Sequence, residues 1–162
     1  MTNGPGYGGP YPSGAAASAF PLGQTEGVLG RRLFAYLLDL AFVFGLMLLL
    51  GFAILIFGVV TFGLGWWLYA ILVPGTAILY SAVTVGGPSQ STIGMRIMGL
   101  RAIHAASGGR VDALTAAVHA LLFYIAAGTF FLWLLDLFIG MARGDRRLGH
   151  DLLVGIAVVR ST

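Results

Sequence analysis

Asp39 is the residue of this chain whose type and position most invite chemistry. It follows Arg31 and Arg32, and the run after it is uncharged up to Val60, mostly Leu, Phe, Ile, Val and Gly. A run of that length reads as a transmembrane helix, because about 20 apolar residues rising 1.5 Å each cross a bilayer core of roughly 30 Å. A carboxylate about two turns inside such a helix costs about 2.5–3.5 kcal/mol at the centre, so a partner, a water-filled cavity or a function is expected. Arg32 and Asp39 are seven positions apart and share a helix face, about 10 Å apart along the axis. That is too far for contact unless Arg32 reaches down, so Arg31 or a residue of another helix is an equal candidate. Asp136 is a second acid in apolar surroundings. His119 precedes it, and an imidazole there is able to relay protons near neutral pH. The plainer alternatives are a packing role for the two acids and simple solvation for His119. The arginines, among them Arg96, Arg101, Arg143, Arg146 and Arg147, are expected to meet lipid headgroups or to pair with Asp145 and Asp151.

The composition defines the setting. Of 162 residues, 58% are hydrophobic and 9% charged, and the mean hydropathy is +0.92. A soluble domain needs about 25% charged residues to cover its surface. The chain is therefore expected to be an integral membrane protein. Its net charge of +3 comes from Arg alone, with no Lys, and signals topology and anionic headgroups. No basic face interleaved with aromatics appears, which sets nucleic acid aside. The absence of Cys excludes disulfides, thiol catalysis and Cys-ligated metal. Ser81, His104, His119 and His150 lie in no nucleophile-elbow context, His150-Asp151 lacks a metal-ligand repeat, and Gly86-Gly87-Pro88-Ser89 makes no phosphate loop. Neither an enzyme nor a cofactor is expected.

Along the chain, Met1 to Thr25 is uncharged and rich in Gly, Pro, Ser, Ala and Tyr, so residues 1–29 are expected as a disordered tail ahead of a membrane domain over 30–162. It has no basic segment leading into an apolar one, so it is not a secretory signal. Pro5, Tyr7, Pro10, Tyr11 and Pro12 fit a docking peptide, with a plain spacer as the alternative. Leu33–Val60 is the first span. A Gly-rich turn leads to the second, Trp66–Val85, opened by interface-type aromatics and kinked at Pro74-Gly75. The only sizeable polar loop, 86–112, is expected to hold a short interfacial helix over Ile93–Leu100, a strand over Leu100–Ala105, a turn at Ser107-Gly108-Gly109 and a returning strand from Arg110. Gly155–Arg160 is a further β-branched strand.

The segment from Ala113 to Gly140 is long for one span and short for two, with Gly128-Thr129 as a possible break. A single crossing puts the Arg143/Arg146/Arg147 cluster opposite the other arginines, against the positive-inside rule. A half-inserted helix followed by a re-entrant one puts it on their side, and gives the last strand a partner in the loop. The fold class is thus an all-α polytopic bundle of about three spans with a short strand-like cytoplasmic element. So few helices enclose little volume, so a transport path needs a homo-oligomer, and Gly45, Gly51, Ala53 and Gly58 suit close helix approach.

Three stretches resemble the RDD family of small bacterial membrane proteins, named for an Arg and two Asp residues. Arg32-Leu33-Phe34-Ala35-Tyr36-Leu37-Leu38-Asp39 is similar to its first-helix pattern. Ser91-Thr92-Ile93-Gly94-Met95-Arg96-Ile97-Met98-Gly99-Leu100-Arg101 resembles its loop. Arg147-Leu148-Gly149-His150-Asp151 with the segment to Val159 resembles its closing pattern. His119 stands where family members often carry Arg, and Gly155-Ile156 where Gly-Thr is usual. Asp136 and Asp151 are both candidates for the second family Asp. Arg31 and Arg32 argue for a cytoplasmic N-terminus; the resemblance implies a bacterial inner (plasma) membrane, and ion or solute transport is the function usually suggested for the family. Protons or monovalent cations bound at Asp39, Asp136 and His119 are the expected cargo. The alternative is a scaffold or assembly factor whose acids fix packing.

Overall fold

The computed structural model describes residues 22–161. The docking-peptide or spacer reading of the tail falls outside the described residues. Order begins before position 30: Leu22–Thr25 forms a 3-10 turn against the last strand, and Thr25 is buried.

α1 (Val28–Val60) is a single 33-residue helix whose large apolar side chains, such as Leu49, Phe52 and Val60, are exposed. A face that apolar needs lipid to cover it. A left-handed Gly63 and a 3-10 turn, Leu64–Leu68, reverse the chain into α2 (Tyr69–Val85). The turn and α2 together make 22 residues of span length. Trp66 and Tyr69, expected as interface anchors, also hold the first two helices together. Tyr69 donates to the Gly51 carbonyl at 2.7 Å, and the Trp66 indole donates to the Leu55 carbonyl at 3.4 Å. Gly51 and Gly58 do serve close approach, but within the chain: Gly51 lies against Tyr69 and Leu72, and a Cβ at Gly58 would fall 1.8 Å from the Trp66 ring.

α3 (Ile93–Ile97) follows, then β1 (Leu100–His104). Val111 and Asp112 do not form the expected returning strand. Asp112 instead caps α4 (Ala113–Gly128), accepting from the Thr115 N–H at 2.9 Å. Thr129 breaks the helix, and α5 (Phe130–Ala142) leaves at 119° to α4. The described residues therefore contain two span-length helices and one sharply bent pair. The break at Gly128-Thr129 matches this geometry, which fits one broken span as well as a re-entrant pair. α6 (Gly149–Val154) leads through Gly155 (φ 73°), a left-handed cap that suits Gly, into β2 (Ile156–Arg160).

β2 pairs antiparallel with β1, from Leu100 opposite Arg160 to His104 opposite Ile156. The small sheet is the best-packed part of the molecule. Ile156, Ala157 and Val159 are fully buried against β1, the end of α2 and the start of α4, and Val158 is buried against the start of α1. Gln90 ties this region together. Its amide donates to the Val85 and Val111 carbonyls, at 2.8 and 2.9 Å, and accepts the Val111 N–H. This topology brings the start of α1, the loop after α2, the stretch between α5 and α6 and the last strand to one end of the bundle. All nine basic residues lie in those segments.

Candidate functional site

The polar groups inside the bundle form two sets. The first is built on Asp39. Its Oδ1 accepts from the Tyr80 hydroxyl at 2.6 Å and from the Gly94 N–H at 2.7 Å, and its Oδ2 accepts from the Thr92 hydroxyl at 2.6 Å. Thr92 is the N-cap of α3 and accepts the Met95 N–H in turn, while the Tyr80 oxygen accepts the Ile93 N–H. One carboxylate thus fastens α1, α2 and the first turn of α3 using neutral donors. Gly94 permits the approach, because a Cβ there would lie 2.1 Å from the Ala35 carbonyl oxygen. Arg32 does not pair with Asp39.

The second set contains Arg32, His119, Asp136, His150 and Asp151. Arg32 on α1 pairs with Asp151 on α6 through both guanidinium arms, one at 2.9 Å. His119 on α4 brings Nε2 within 2.7 Å of Asp151 Oδ1. Asp136 on α5 receives the His150 backbone N–H on Oδ1 and meets His150 Nδ1 at 2.8 Å on Oδ2. The far nitrogen of the same ring, Nε2, faces Asp151 Oδ1 at 3.4 Å. The two imidazoles lie 4.7 Å apart, centre to centre. Asp151 is fully buried. Burial pushes its carboxyl up, but the adjacent Arg32 charge and the His119 contact outweigh this and hold it well below the ordinary carboxylate range. It also accepts the Leu148 N–H at 2.9 Å, closing the first turn of α6. Arg147 binds the outside of that turn, donating to the carbonyls of Ile156 and Asp151.

Both sets face one cavity of about 220 Å³ between α1, α2, α4 and α5. Arg32, Asp39, Tyr80, His119 and His150 supply its polar wall; Tyr36, Phe123, Tyr124 and Trp133 supply aromatic wall. Helix α2 contributes Tyr80, Ser81 and Val85, whereas Pro74 is not in the lining.

The sequence candidates divide accordingly. Asp136, His119 and Asp151 come together with Arg32, and Asp39 joins them across the cavity. The other arginines mostly bind backbone or near neighbours. Arg31 donates to the Met98 carbonyl, Arg96 to Ser89, and Arg143 to Asp145 at 2.8 Å, while Arg101 lies exposed on β1. His119 is not the solvated imidazole of the plainer alternative. His150 was missed as a site residue. A metal-ligand repeat is a local pattern, and the ring's nearest partner, Asp136, and the neighbouring His119 ring lie on other helices. Its placement between Gly149 and a family-type Asp was the one available signal.

These features define a class: a small membrane protein with two long apolar helices, a bent helix pair, and an arginine on the first helix bound to a buried acid near the last strand. The chain belongs to the RDD family, whose sequence model matches residues 27–155. No curated protein and no solved structure matches the chain.

Proposed function

We propose that this protein moves a cation or small solute across the bilayer in exchange for protons, and that the cargo's charge is met by the buried acids Asp136 and Asp151 with His119 and His150. The observation that carries this reading is that two imidazoles lining a cavity of about 220 Å³, His119 and His150, are each bonded from behind to a buried carboxylate, Asp151 and Asp136. Ionisable groups inside a membrane domain are costly and tend to mark ion pathways. The reading is of a non-enzymatic protein of the bacterial inner membrane. Its arginine-rich end faces the cytoplasm and anionic headgroups on positive-inside grounds, and a homo-oligomer completes the path.

A second reading, a scaffold or assembly factor, draws on Asp39, whose three neutral donors make it a fastening between helices. Purified protein in liposomes separates the two. An imposed pH gradient is followed on addition of Na⁺, K⁺ or Li⁺ for wild type, Asp136→Asn and Asp39→Asn at matched incorporation. Cation-dependent proton movement, lost in Asp136→Asn and retained in folded Asp39→Asn, supports exchange at the buried acids. No movement in wild type removes that reading and leaves the scaffold.

A further inference from the structure

We infer that His119, His150 and Asp151 form a binding site for one divalent transition metal ion of the Zn²⁺ or Co²⁺ class, with Asp136 orienting His150 from behind. One ligand atom from each of the three residues lies within 4.8 Å of the others. The residues come from α4 and from consecutive positions of α6, so no sequence repeat announces them.

The hydrogen bonds of His150 carry the argument. Asp136 Oδ2 is 2.8 Å from Nδ1, and its other oxygen already accepts the His150 backbone N–H, so this carboxylate calls for a proton on Nδ1. In the neutral ring that leaves a lone pair on Nε2. This lone pair faces Asp151 Oδ1, also an acceptor, at 3.4 Å. Two acceptors opposed in a buried place call for a cation between them. Their spacing suits a metal ion, because donors on a tetrahedral centre with bonds of about 2.0–2.1 Å lie about 3.3 Å apart. His119 Nε2 sits 2.7 Å from the same oxygen, the spacing of a shared proton, which the metal would replace with a small outward shift of the ring. A carboxylate on the far nitrogen of a ligating histidine is the usual arrangement around such metals: it fixes the tautomer and raises the ring's basicity.

Two imidazoles and one carboxylate suit zinc, cobalt, nickel, copper and ferrous iron, whereas Mg²⁺ and Ca²⁺ take oxygen ligands. Arg32 selects in the same direction. Its guanidinium holds Asp151 and repels a cation, so an ion bound mainly by charge loses more than one bound by nitrogen. One Arg32 arm and the Leu148 N–H hold Asp151 Oδ2, while Oδ1, which also accepts from the other Arg32 arm at 2.9 Å, faces the two rings. The fourth position would face the cavity, whose wall includes both histidines. The site stands whether or not the protein transports anything.

The test uses untagged full-length protein in detergent, stripped with chelator and titrated with Co²⁺. Visible absorption reports ligand geometry and elemental analysis reports stoichiometry. About one Co²⁺ per chain with tetrahedral-type absorption, displaced by Zn²⁺ and not by Mg²⁺, is expected. His104→Ala should keep it, His119→Ala and His150→Ala should lose it, and Asp136→Asn should weaken it about 10–100-fold. Wild type that binds no Co²⁺, or folded His119→Ala and His150→Ala proteins that bind as wild type does, overturns the site. Should the variants fail to fold, wild type decides alone: Zn²⁺ must raise its unfolding temperature where equal Mg²⁺ does not. Wild type that binds no Co²⁺ overturns this site and not the exchange reading, and wild type that moves no protons in liposomes overturns the exchange reading and not this site.

Discussion

The two acids that lie within the long apolar runs both end on a short helix, and they do so differently. Asp39 on α1 receives the Gly94 N–H of α3, and Asp136 on α5 receives the His150 N–H of α6. Around Asp39 every donor is neutral: a phenol, an alcohol and an amide. Around Asp136 the side-chain partner is an imidazole, and one step on lies Asp151 with a second imidazole and a guanidinium. A carboxylate saturated by neutral donors is a fastening, since none of its partners can take up or release a charge near neutral pH. A carboxylate bonded to imidazoles has partners that can be protonated, deprotonated or handed to a metal. The same residue type in two similar helix-capping positions thus meets only neutral donors in one place and ionisable partners in the other.

Four changes break or sharpen that contrast. The largest effect belongs to Arg32→Met, which leaves fully buried Asp151 without its guanidinium. A loss of about 3–5 kcal/mol is expected, read from thermal or denaturant unfolding in detergent. Adding Asp151→Leu should recover part of that loss, and no recovery would mean the pair is not the source. Next is Gly94→Ala, which drives a methyl toward the Ala35 carbonyl on the Asp39 side. About 1–3 kcal/mol should be lost, while metal binding at the histidines persists. Tyr80→Phe removes one of the three donors to Asp39 and should cost about 1 kcal/mol without altering proton movement in liposomes. A large transport defect in this variant would place Asp39 on the pathway and end the contrast.

The smallest effect is on the surface. Asp145 is held below its ordinary value of 3.8, chiefly by the Arg143 hydrogen bond. A depressed carboxyl contributes stability that is full above the unfolded value and is lost as pH falls through the folded one. The wild type should therefore exceed Asp145→Asn by less than about 1 kcal/mol near neutrality, with the gap closing below about pH 3.8. Unfolding curves at several pH values would check this.

Local pattern accounts for what was legible in advance. The two long helices, the break at Gly128-Thr129, α3 and both strands follow from hydropathy, small residues and β-branched runs. Asp39 and Asp136 stand out because a charge in an apolar run is conspicuous at any fold. The partners were hidden for a physical reason. Helical spacing relates residues on one helix, whereas Arg32 meets Asp151 across 119 positions and Tyr80 meets Asp39 across 41. The stretch from Arg110 onward read as a returning strand, yet Asp112, a short acid before Ala-Leu-Thr, is also a helix cap, and the cap prevailed. Gln90 gave no signal, since an amide in a polar loop looks ordinary until its carbonyl partners converge.

The pairing of β1 with β2 also sets an order of assembly. Helices α4, α5 and α6 all lie between the two strands in the chain. During synthesis β1 emerges with its edge unpaired and waits until three more helices have been made and placed. Only then does β2 arrive, close the sheet and lock Arg147 over Asp151 and Ile156. Until α6 has been made, the arginine of the first helix lacks Asp151. Closure of the sheet and completion of the buried charge cluster are therefore late events, and a chain halted before Gly149 would carry Arg32 and His119 with no Asp151 to receive them.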